Sequence, residues 1–166
     1  DEWREEIIER NVLQMGSVES IARISQLLRS RLEPLGEDLW TIVRDRGHEQ
    51  ATQAVFAGAI KHSRLLGDFM DIAIREQRTL FAKKLEHHMW NDYIAGCRGR
   101  DPDMPHWSDS TTARLRSAVL SMLSEAGYLE STRSLQLQNV FVYEQLSSYL
   151  RERDEAYVLR CMEVME

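Results

Sequence analysis

The 166-residue sequence has little that interrupts a helix, cross-links a chain or spans a membrane. Three prolines and eight glycines leave room for long helices. The two cysteines, Cys97 and Cys161, are isolated in the sequence and do not form a disulfide framework. No apolar run approaches the ~20 residues of a membrane-spanning helix. The opening DEWREEIIER is acidic, unlike the basic start of a signal peptide. We therefore expect a cytoplasmic protein.

Motifs for metal binding are also scarce. Four side chains that could bind a metal lie close together in the sequence: His87, His88, Cys97 and His106. No pair among them has a spacing typical of zinc ligands, and adjacent histidines on a helix point in different directions. Surface or half-buried histidines are the better interpretation. We expect no metal and no cofactor.

Catalytic motifs are equally rare. Asp68 and Asp71 lie one helical turn apart and could act as paired carboxylates, although Asp68 could equally anchor a helix junction. The sequence contains no glycine-rich phosphate loop and no nucleophile elbow. We expect no enzymatic activity.

An excess of acidic residues is confined to the two ends of the sequence. Residues 1–10 carry five acidic and two basic residues, and residues 144–166 carry six acidic and three basic ones. These two segments account for the whole net charge of −6. Residues 60–100 instead hold eight basic residues against five acidic ones. Net acidity disfavours a nucleic-acid partner, but the middle of the chain can still form a basic face.

Apolar residues recur at helical spacing through most of the sequence, which predicts a mainly helical, all-α fold. Helices are predicted at 3–13, 18–32, 37–45, 49–75 with a break near Ser63, 78–95, from Ser108 to Gly127, 143–151 and 154–164. Tyr128–Leu129 and Leu135–Leu137 flank a polar turn, which is typical of a short β-hairpin. A glycine- and proline-containing stretch, 96–106, is predicted to be a loop. It divides an N-terminal helical module, 1–95, from a C-terminal winged-helix-like module, 96–166.

Two of the helices begin alike. Aligned without a gap, Ser17–Gly36 and Ser108–Gly127 share six identical residues in twenty. The correspondences at the helix start are Ser17 with Ser108, Ser20 with Thr111, and Arg23 with Arg114. We interpret the two segments as degenerate copies of one helix-turn-helix-like binding module.

The second copy has the composition of a surface that approaches another molecule. Its apolar stripe is Leu115, Ala118, Val119, Met122, Leu123 and Ala126. The opposite face is almost entirely small: Ser110, Ala113, Ser117, Ser121 and Ser124, with Arg114 on the flank. Small side chains permit close approach, and hydroxyl groups can donate to phosphate. Free backbone N–H groups at the helix start also favour anions. Helix capping and helix–helix packing are the alternative interpretations.

The elements after the second copy extend this interpretation. A helix followed by Gly127 and a hairpin is the order of a recognition helix and wing. Arg133 at the hairpin tip is where a wing would contact the DNA backbone or minor groove. The first copy adds Arg29 and Arg31 on later turns but has no wing.

Motifs spread over nearly the whole chain resemble those of a known family. They comprise Asn11, Leu13, Ser17, Ser20, Arg23, Ile24, Arg31, Leu32 and Leu35, then LLGDF at 65–69, then Trp107, Ser108, Ser110, Thr111, Arg114, Leu115 and residues 123–129. In their order and spacing they resemble BrxA, a small accessory protein of bacteriophage-exclusion (BREX) systems. The resemblance implies a helical, DNA-binding protein with winged-helix-like modules, no enzymatic activity and other BREX proteins as partners. The family has also carried an inner-membrane label, with which the hydropathy of this sequence disagrees.

The combined expectation is binding to duplex DNA, largely without sequence specificity, because few base-reading Asn or Gln side chains accompany the helix starts. The residues expected to contact DNA are Ser17, Ser20, Arg23, Arg29, Ser108, Ser110, Thr111, Arg114, Ser117 and Arg133. The alternative is a protein–protein adaptor without direct DNA contact, for which Trp3, Trp40 and Trp107 are candidate exposed aromatic residues.

Overall fold

The structure is a computed structural model that describes Ile7, Arg10, Val12 and residues 14–164. The helix predicted at 3–13 lies almost wholly outside these residues. In chain order the helices are α1 (Val18–Leu32), α2 (Glu37–Asp45), α3 (His48–His62), α4 (Arg64–Asp68), α5 (Arg75–Thr79), α6 (Met89–Arg100), α7 (Asp109–Glu125), α8 (Glu144–Glu152) and α9 (Ala156–Met162). A 3₁₀ turn (Glu33–Leu35) follows α1, and a π-helical segment (Phe69–Ile74) joins α4 to α5. The prediction of a mainly helical fold is confirmed.

Local signals place most of these boundaries. The predicted break near Ser63 is confirmed, because the Ser63 side chain accepts a hydrogen bond from the Leu66 backbone N–H at 3.4 Å and starts α4. The helices predicted at 37–45, 143–151 and 154–164 match α2, α8 and α9 to within a few residues. Such agreement is expected where apolar residues recur clearly at helical spacing.

The helix predicted over 78–95 is wrong in its first half. α5 ends at Thr79, and α6 begins only at Met89. Between them the chain is extended around Lys84, where the Leu85 N–H donates to the Leu135 carbonyl oxygen and the Leu137 N–H donates to the Lys83 carbonyl oxygen, both at 2.9 Å. These bonds to a segment far along the chain override the local helical pattern.

The loop predicted at 96–106 is also partly wrong. α6 continues through Gly96 and Gly99 to Arg100, so the loop begins only at Asp101. Each glycine costs about 1 kcal/mol relative to alanine in a helix, but burial of α6 side chains outweighs that preference. Trp90, Tyr93 and Ile94 are all buried.

The predicted hairpin is present as single residue pairs. Leu129 and Leu137 form one antiparallel bridge, and Lys84 and Gln136 form another. Consequently 135–137 lies between 83–85 on one side and 128–130 on the other. The sequence predicted the pairing of 135–137 with 128–130 but not its pairing with 83–85.

α3 lies at the centre of the helical packing. It packs against α1, α2, α4, α8 and α9. Its buried surface combines small and large apolar residues: Ala54, Phe56, Ala57, Ala59 and Ile60. The buried apolar side chains from Leu39 to Val164 form one cluster. The division at 95/96 stays a prediction.

Within residues 14–164 no helix is long and apolar enough to cross a bilayer. In the same part of the chain, no group of three or more His, Cys, Asp or Glu side chains is placed to hold a metal ion.

Candidate nucleic-acid interface

The first repeated helix start is a hydrogen-bonded N-cap. The Ser17 Oγ accepts a hydrogen bond from the Ser20 N–H at 3.2 Å, and the Ser17 hydroxyl donates to the Ser20 Oγ at 2.9 Å. The Ser17 hydroxyl therefore donates one hydrogen bond and accepts another inside the first turn of α1. This is the arrangement that an N-cap serine adopts to satisfy a free backbone N–H.

The second helix start repeats this geometry. The Ser108 Oγ accepts from the Thr111 N–H at 3.3 Å, in the position equivalent to Ser20. It also lies 3.0 Å from the Ser110 Oγ and 3.0 Å from the Thr111 Oγ1. The three hydroxyl groups therefore form a small network at the start of α7.

The two copies also end alike. Gly36 and Gly127 both have φ of +83°, a conformation that favours glycine. The Gly36 N–H donates to the Glu33 carbonyl oxygen, and the equivalent Gly127 N–H donates to the Ser124 carbonyl oxygen. After this turn the copies diverge, because α2 follows Gly36 whereas an extended segment follows Gly127.

Arg23 and Arg114 have equivalent positions in the two helices. Both side chains are exposed. No hydrogen bond or ion pair connects either guanidinium group to another described residue. Arg29, in contrast, forms an ion pair with Glu33. An exposed arginine without a carboxylate partner keeps its full charge for an external anion.

The exposed face of α7 differs slightly from the predicted one. Ser110, Ala113, Arg114 and Ser117 are exposed, as expected, whereas Ser121 and Ser124 are half-buried. Ala118 is also exposed although the apolar stripe predicted its burial, whereas Val119 and Leu123 are buried. The Ser117 hydroxyl donates to the Ala113 carbonyl oxygen at 3.0 Å and is therefore engaged within the helix.

Arg133 lies in the turn between the two arms of the hairpin, and its side chain is exposed. The turn is closed by Ser131, whose Oγ accepts from the Ser134 N–H at 3.0 Å. Arg133 is thus presented at the tip of a stabilised turn, in the place where the sequence predicted a wing contact.

One basic pair near α7 was not predicted. The Arg116 Nη2 lies 2.8 Å from the His87 Nδ1, which joins α7 to the residue just before α6. The Trp90 indole N–H donates to the Thr112 carbonyl oxygen at 3.1 Å and fixes α6 against α7 nearby. No short-range pattern in the sequence connects residues 87 and 116.

The two aspartates considered for catalysis are engaged in structural contacts. The Tyr157 hydroxyl donates to Asp68 at 2.6 Å, and Arg64 lies 3.4 Å from the same carboxylate. Asp71 forms ion pairs with Arg75 and Arg160 at 3.2 and 2.6 Å. These contacts tie α4 and the π-helical segment to α9.

The aromatic residues proposed for an adaptor surface are not the exposed ones. Trp40 and Trp107 are half-buried and pack against the core, so their predicted exposure is wrong. Trp3 lies outside the described residues. Phe81 and Phe141 are exposed instead, at 91% and 79%.

The fold and this site define a mainly helical protein with two equivalently capped helices, each bearing an exposed arginine, and a short hairpin after the second. The family model for BrxA matches residues 1–154. The chain belongs to the BrxA family, as the sequence motifs predicted.

Individual relatives extend the match over nearly the whole chain. A protein of Paramagnetospirillum magneticum named "BREX protein BrxA" is 46% identical over 99% of this chain and 82% of its own length. A protein of the same name from Escherichia coli O9:H4 is 26% identical over 97% of this chain and 76% of its own length. The crystal structure of an uncharacterized protein from Magnetospirillum magneticum has a TM-score of 0.88 and 45% identity, covering 98% of this chain and 83% of that chain.

Proposed function

We propose that this BrxA-family protein is a non-enzymatic component of a BREX phage-defence system that binds duplex DNA largely without sequence specificity. The assignment to a BREX system is supported by the relatives that are named BREX protein BrxA. Other BREX proteins are the natural protein partners of such a component.

The order of elements around α7 supports a winged-helix module. A helical stretch (α4 to α5) is followed by the extended residues 83–85, then α6, α7 and the paired segments 128–130 and 135–137. In a winged helix, the second helix of the helix-turn-helix pair enters the major groove and the hairpin contacts the adjacent backbone. By this assignment α7 is the recognition helix and the turn bearing Arg133 is the wing.

The observation that carries the proposal is the pair of equivalent, uncompensated arginines. Arg23 and Arg114 follow matching N-caps, are exposed and have no carboxylate partner among the described residues. Duplex DNA offers closely spaced phosphates that such charges neutralise, and the binding energy then comes from the release of counterions. The serine hydroxyl groups are already engaged in the helix starts, so the arginines are expected to make the larger contribution.

Fluorescence anisotropy with a labelled duplex, measured across a salt series, tests this proposal. If four to six phosphates are contacted, the slope of log K against log salt is expected to be about −4 to −5. Arg114→Ala and Arg23→Ala should each reduce the slope by about one, equally for unrelated DNA sequences. Their effects on affinity should add, since separate sites share no partner.

Arg44→Ala provides a matched control. Arg44 is also an exposed helix arginine, but it is paired with Asp45 at 2.6 Å. Its loss should leave the salt slope unchanged within error. Single-stranded DNA and RNA of equal length serve as competitors. A slope near zero, or equal losses for Arg44→Ala and Arg114→Ala, would show that these arginines do not form a DNA site.

A protein–protein adaptor is the second candidate, and two exposed residues favour it. Leu80 and Phe81 are adjacent large apolar side chains that are 65% and 91% exposed. Replacing both with serine should abolish co-purification with other proteins of the same BREX system if the adaptor function holds. Duplex affinity should stay within about twofold, because neither residue carries charge.

A further inference from the structure

The segment between the hairpin and α8, residues 139–143, is extended and is held from one side by Gln53 of α3. It contains no helix, turn or bend. The Gln53 Nε2 donates to the Phe141 carbonyl oxygen at 2.9 Å, and the Gln53 Oε1 accepts from the Tyr143 N–H at 3.0 Å. The amide of this buried glutamine therefore takes the place that a neighbouring strand would occupy on one edge of the segment.

The other edge of the segment has no partner. Val140 and Val142 are half-buried and pack against the core, whereas Phe141 between them is 79% exposed, which is the alternation of an extended chain. Successive backbone groups of a strand point to opposite edges, so the N–H and C=O groups of the two valines point away from Gln53. They form no hydrogen bond with any other described residue. Such an edge is a template for a further strand.

A groove with a volume of about 670 Å³ runs along the segment. It is lined by residues 139–144, by the first turns of α3 and by residues 125–127 at the end of α7. Because unpaired backbone groups are costly when buried, we expect the free edge to open into this groove.

The groove carries uncompensated negative charge. The described residues that line it include three carboxylates, Glu49, Glu125 and Glu144, and no lysine or arginine. None of the three forms an ion pair with a described residue. The last turn of α7, which reaches the groove, contains no basic residue, so the negative end of the helix dipole adds to this charge.

We propose that this groove binds an extended segment of a partner protein, in which apolar residues alternate with lysine or arginine, as a strand added to the free edge of Val140 and Val142. Backbone hydrogen bonds to that edge supply affinity, and the alternating side chains supply specificity. The apolar side chains would pack beside the two valines. The basic side chains would neutralise the carboxylates of the groove, which is the charge complementarity that selects this class of partner.

The proposed site is separate from the candidate nucleic-acid interface. Glu125 follows Arg114 by 11 residues on α7, which corresponds to roughly 16 Å along the helix. The hairpin residues 135–137 lead away from the turn that bears Arg133 and towards the groove. A partner strand therefore leaves both arginines accessible, and the proposal does not depend on DNA binding.

The first test uses the unaltered protein and a fluorescein-labelled peptide, KVKVKVK, in an anisotropy titration. In an extended peptide the N–H groups of the valines point to one edge and those of the lysines to the other. N-methylation of three residues of one set is expected to weaken binding by at least about tenfold, because it removes the hydrogen bonds to the free edge. N-methylation of three residues of the other set should leave the affinity within about threefold, and the peptide EVEVEVE should not bind.

The second test alters the groove. Glu125→Gln combined with Glu144→Gln should weaken peptide binding by about threefold to tenfold at low salt. Glu130→Gln, an exposed carboxylate of the hairpin outside the groove, is the matched control and should bind as the wild type does. Val142→Pro removes a free N–H but spares the two backbone groups that bond to Gln53, and should lose at least about tenfold in affinity.

Three results would overturn the proposal. The first is the absence of KVKVKVK binding to the wild type. The second is an equal loss for the two N-methylated peptides, since a peptide held by charge alone does not distinguish its edges. The third is a dimer in sedimentation velocity that Val142→Pro dissociates, which would assign the free edge to a second copy of this chain. The peptide comparison holds even if Val142→Pro fails to fold.

Discussion

The repeated serine at the two helix starts can be assigned to capping or to DNA contact by a pair of substitutions at Ser108. In the structure the Ser108 Oγ accepts from the Thr111 N–H at 3.3 Å and joins the hydroxyl groups of Ser110 and Thr111. Ser108→Ala removes the cap of the 17-residue helix α7, which carries Val119 and Leu123 into the core. Loss of a serine N-cap costs about 1 kcal/mol, whereas glycine at the same position costs only a few tenths.

These free energies correspond to measurable shifts in Tm. For a chain of this size, 1 kcal/mol lowers Tm by about 2–4 °C. Ser108→Ala is therefore expected to melt a few degrees below the wild type in a circular-dichroism scan, and Ser108→Gly within about a degree. Because the hydroxyl is engaged in the helix start, both variants should bind the labelled duplex within about twofold of the wild type.

The glycine variant gives the decisive result. If Ser108→Gly keeps the wild-type Tm yet loses duplex affinity by about tenfold, the hydroxyl contacts phosphate and the capping interpretation fails. If the Tm of Ser108→Ala equals that of the wild type, the Ser108 cap contributes no stability. Ser17→Ala and Ser17→Gly repeat the comparison at α1, where the same bond to the backbone is present at 3.2 Å.

Two further predictions concern stability. A methyl group at Gly67 would lie 2.4 Å from the Tyr157 hydroxyl oxygen, so Gly67→Ala should lower the urea midpoint of unfolding through an overpacking cost of about 1–3 kcal/mol. Gly99 has open space around it, so Gly99→Ala in the helix α6 should raise the urea midpoint. A shift of the midpoint in the same direction for both variants would contradict this reasoning. Burial raises the pKa of Tyr93, Tyr128 and Tyr157, and raises that of Cys161 to about 11. Above about pH 9 the unfolded chain has begun to lose protons that the native chain keeps, so the free energy of unfolding should fall as pH rises; constant urea midpoints up to about pH 11 would refute this.

The parts of the fold that the sequence predicted are those with local signals. Ser17, Ser63 and Ser108 each cap a helix, and the apolar spacing after them gives the helix that follows. Gly36 and Gly127 correspond in sequence and share one backbone conformation. In each case the determining contacts lie within a few residues, so a short window of sequence contains the information.

The errors have the opposite cause. Residues 83–85 leave the helical path because their backbone bonds to 135–137, more than fifty residues away. α6 continues through Gly96 and Gly99 because Trp90, Tyr93 and Ile94 are buried against other elements. Propensity is a weak determinant wherever tertiary burial opposes it.

In the candidate site, too, residues marked by a local sequence pattern were predicted, whereas a contact between distant residues was not. Arg23, Arg114 and Arg133 were singled out by a repeat and a turn pattern, and all three side chains are exposed in the structure. The Arg116–His87 contact was not predicted, since the two residues are 29 positions apart and belong to different elements. Only the folded backbone brings their nitrogen atoms together.

The central position of α3 has a consequence for the order in which the protein can fold during synthesis. α3 packs against α8 and α9, and Lys61 at its end forms an ion pair with Glu155, 94 residues later. While the ribosome is still translating the second half of the chain, the apolar surface of α3 that α9 will cover has no partner from its own chain. Until α9 emerges, that apolar surface stays exposed on the nascent chain, and exposed apolar surface of this kind promotes aggregation and is what chaperones bind.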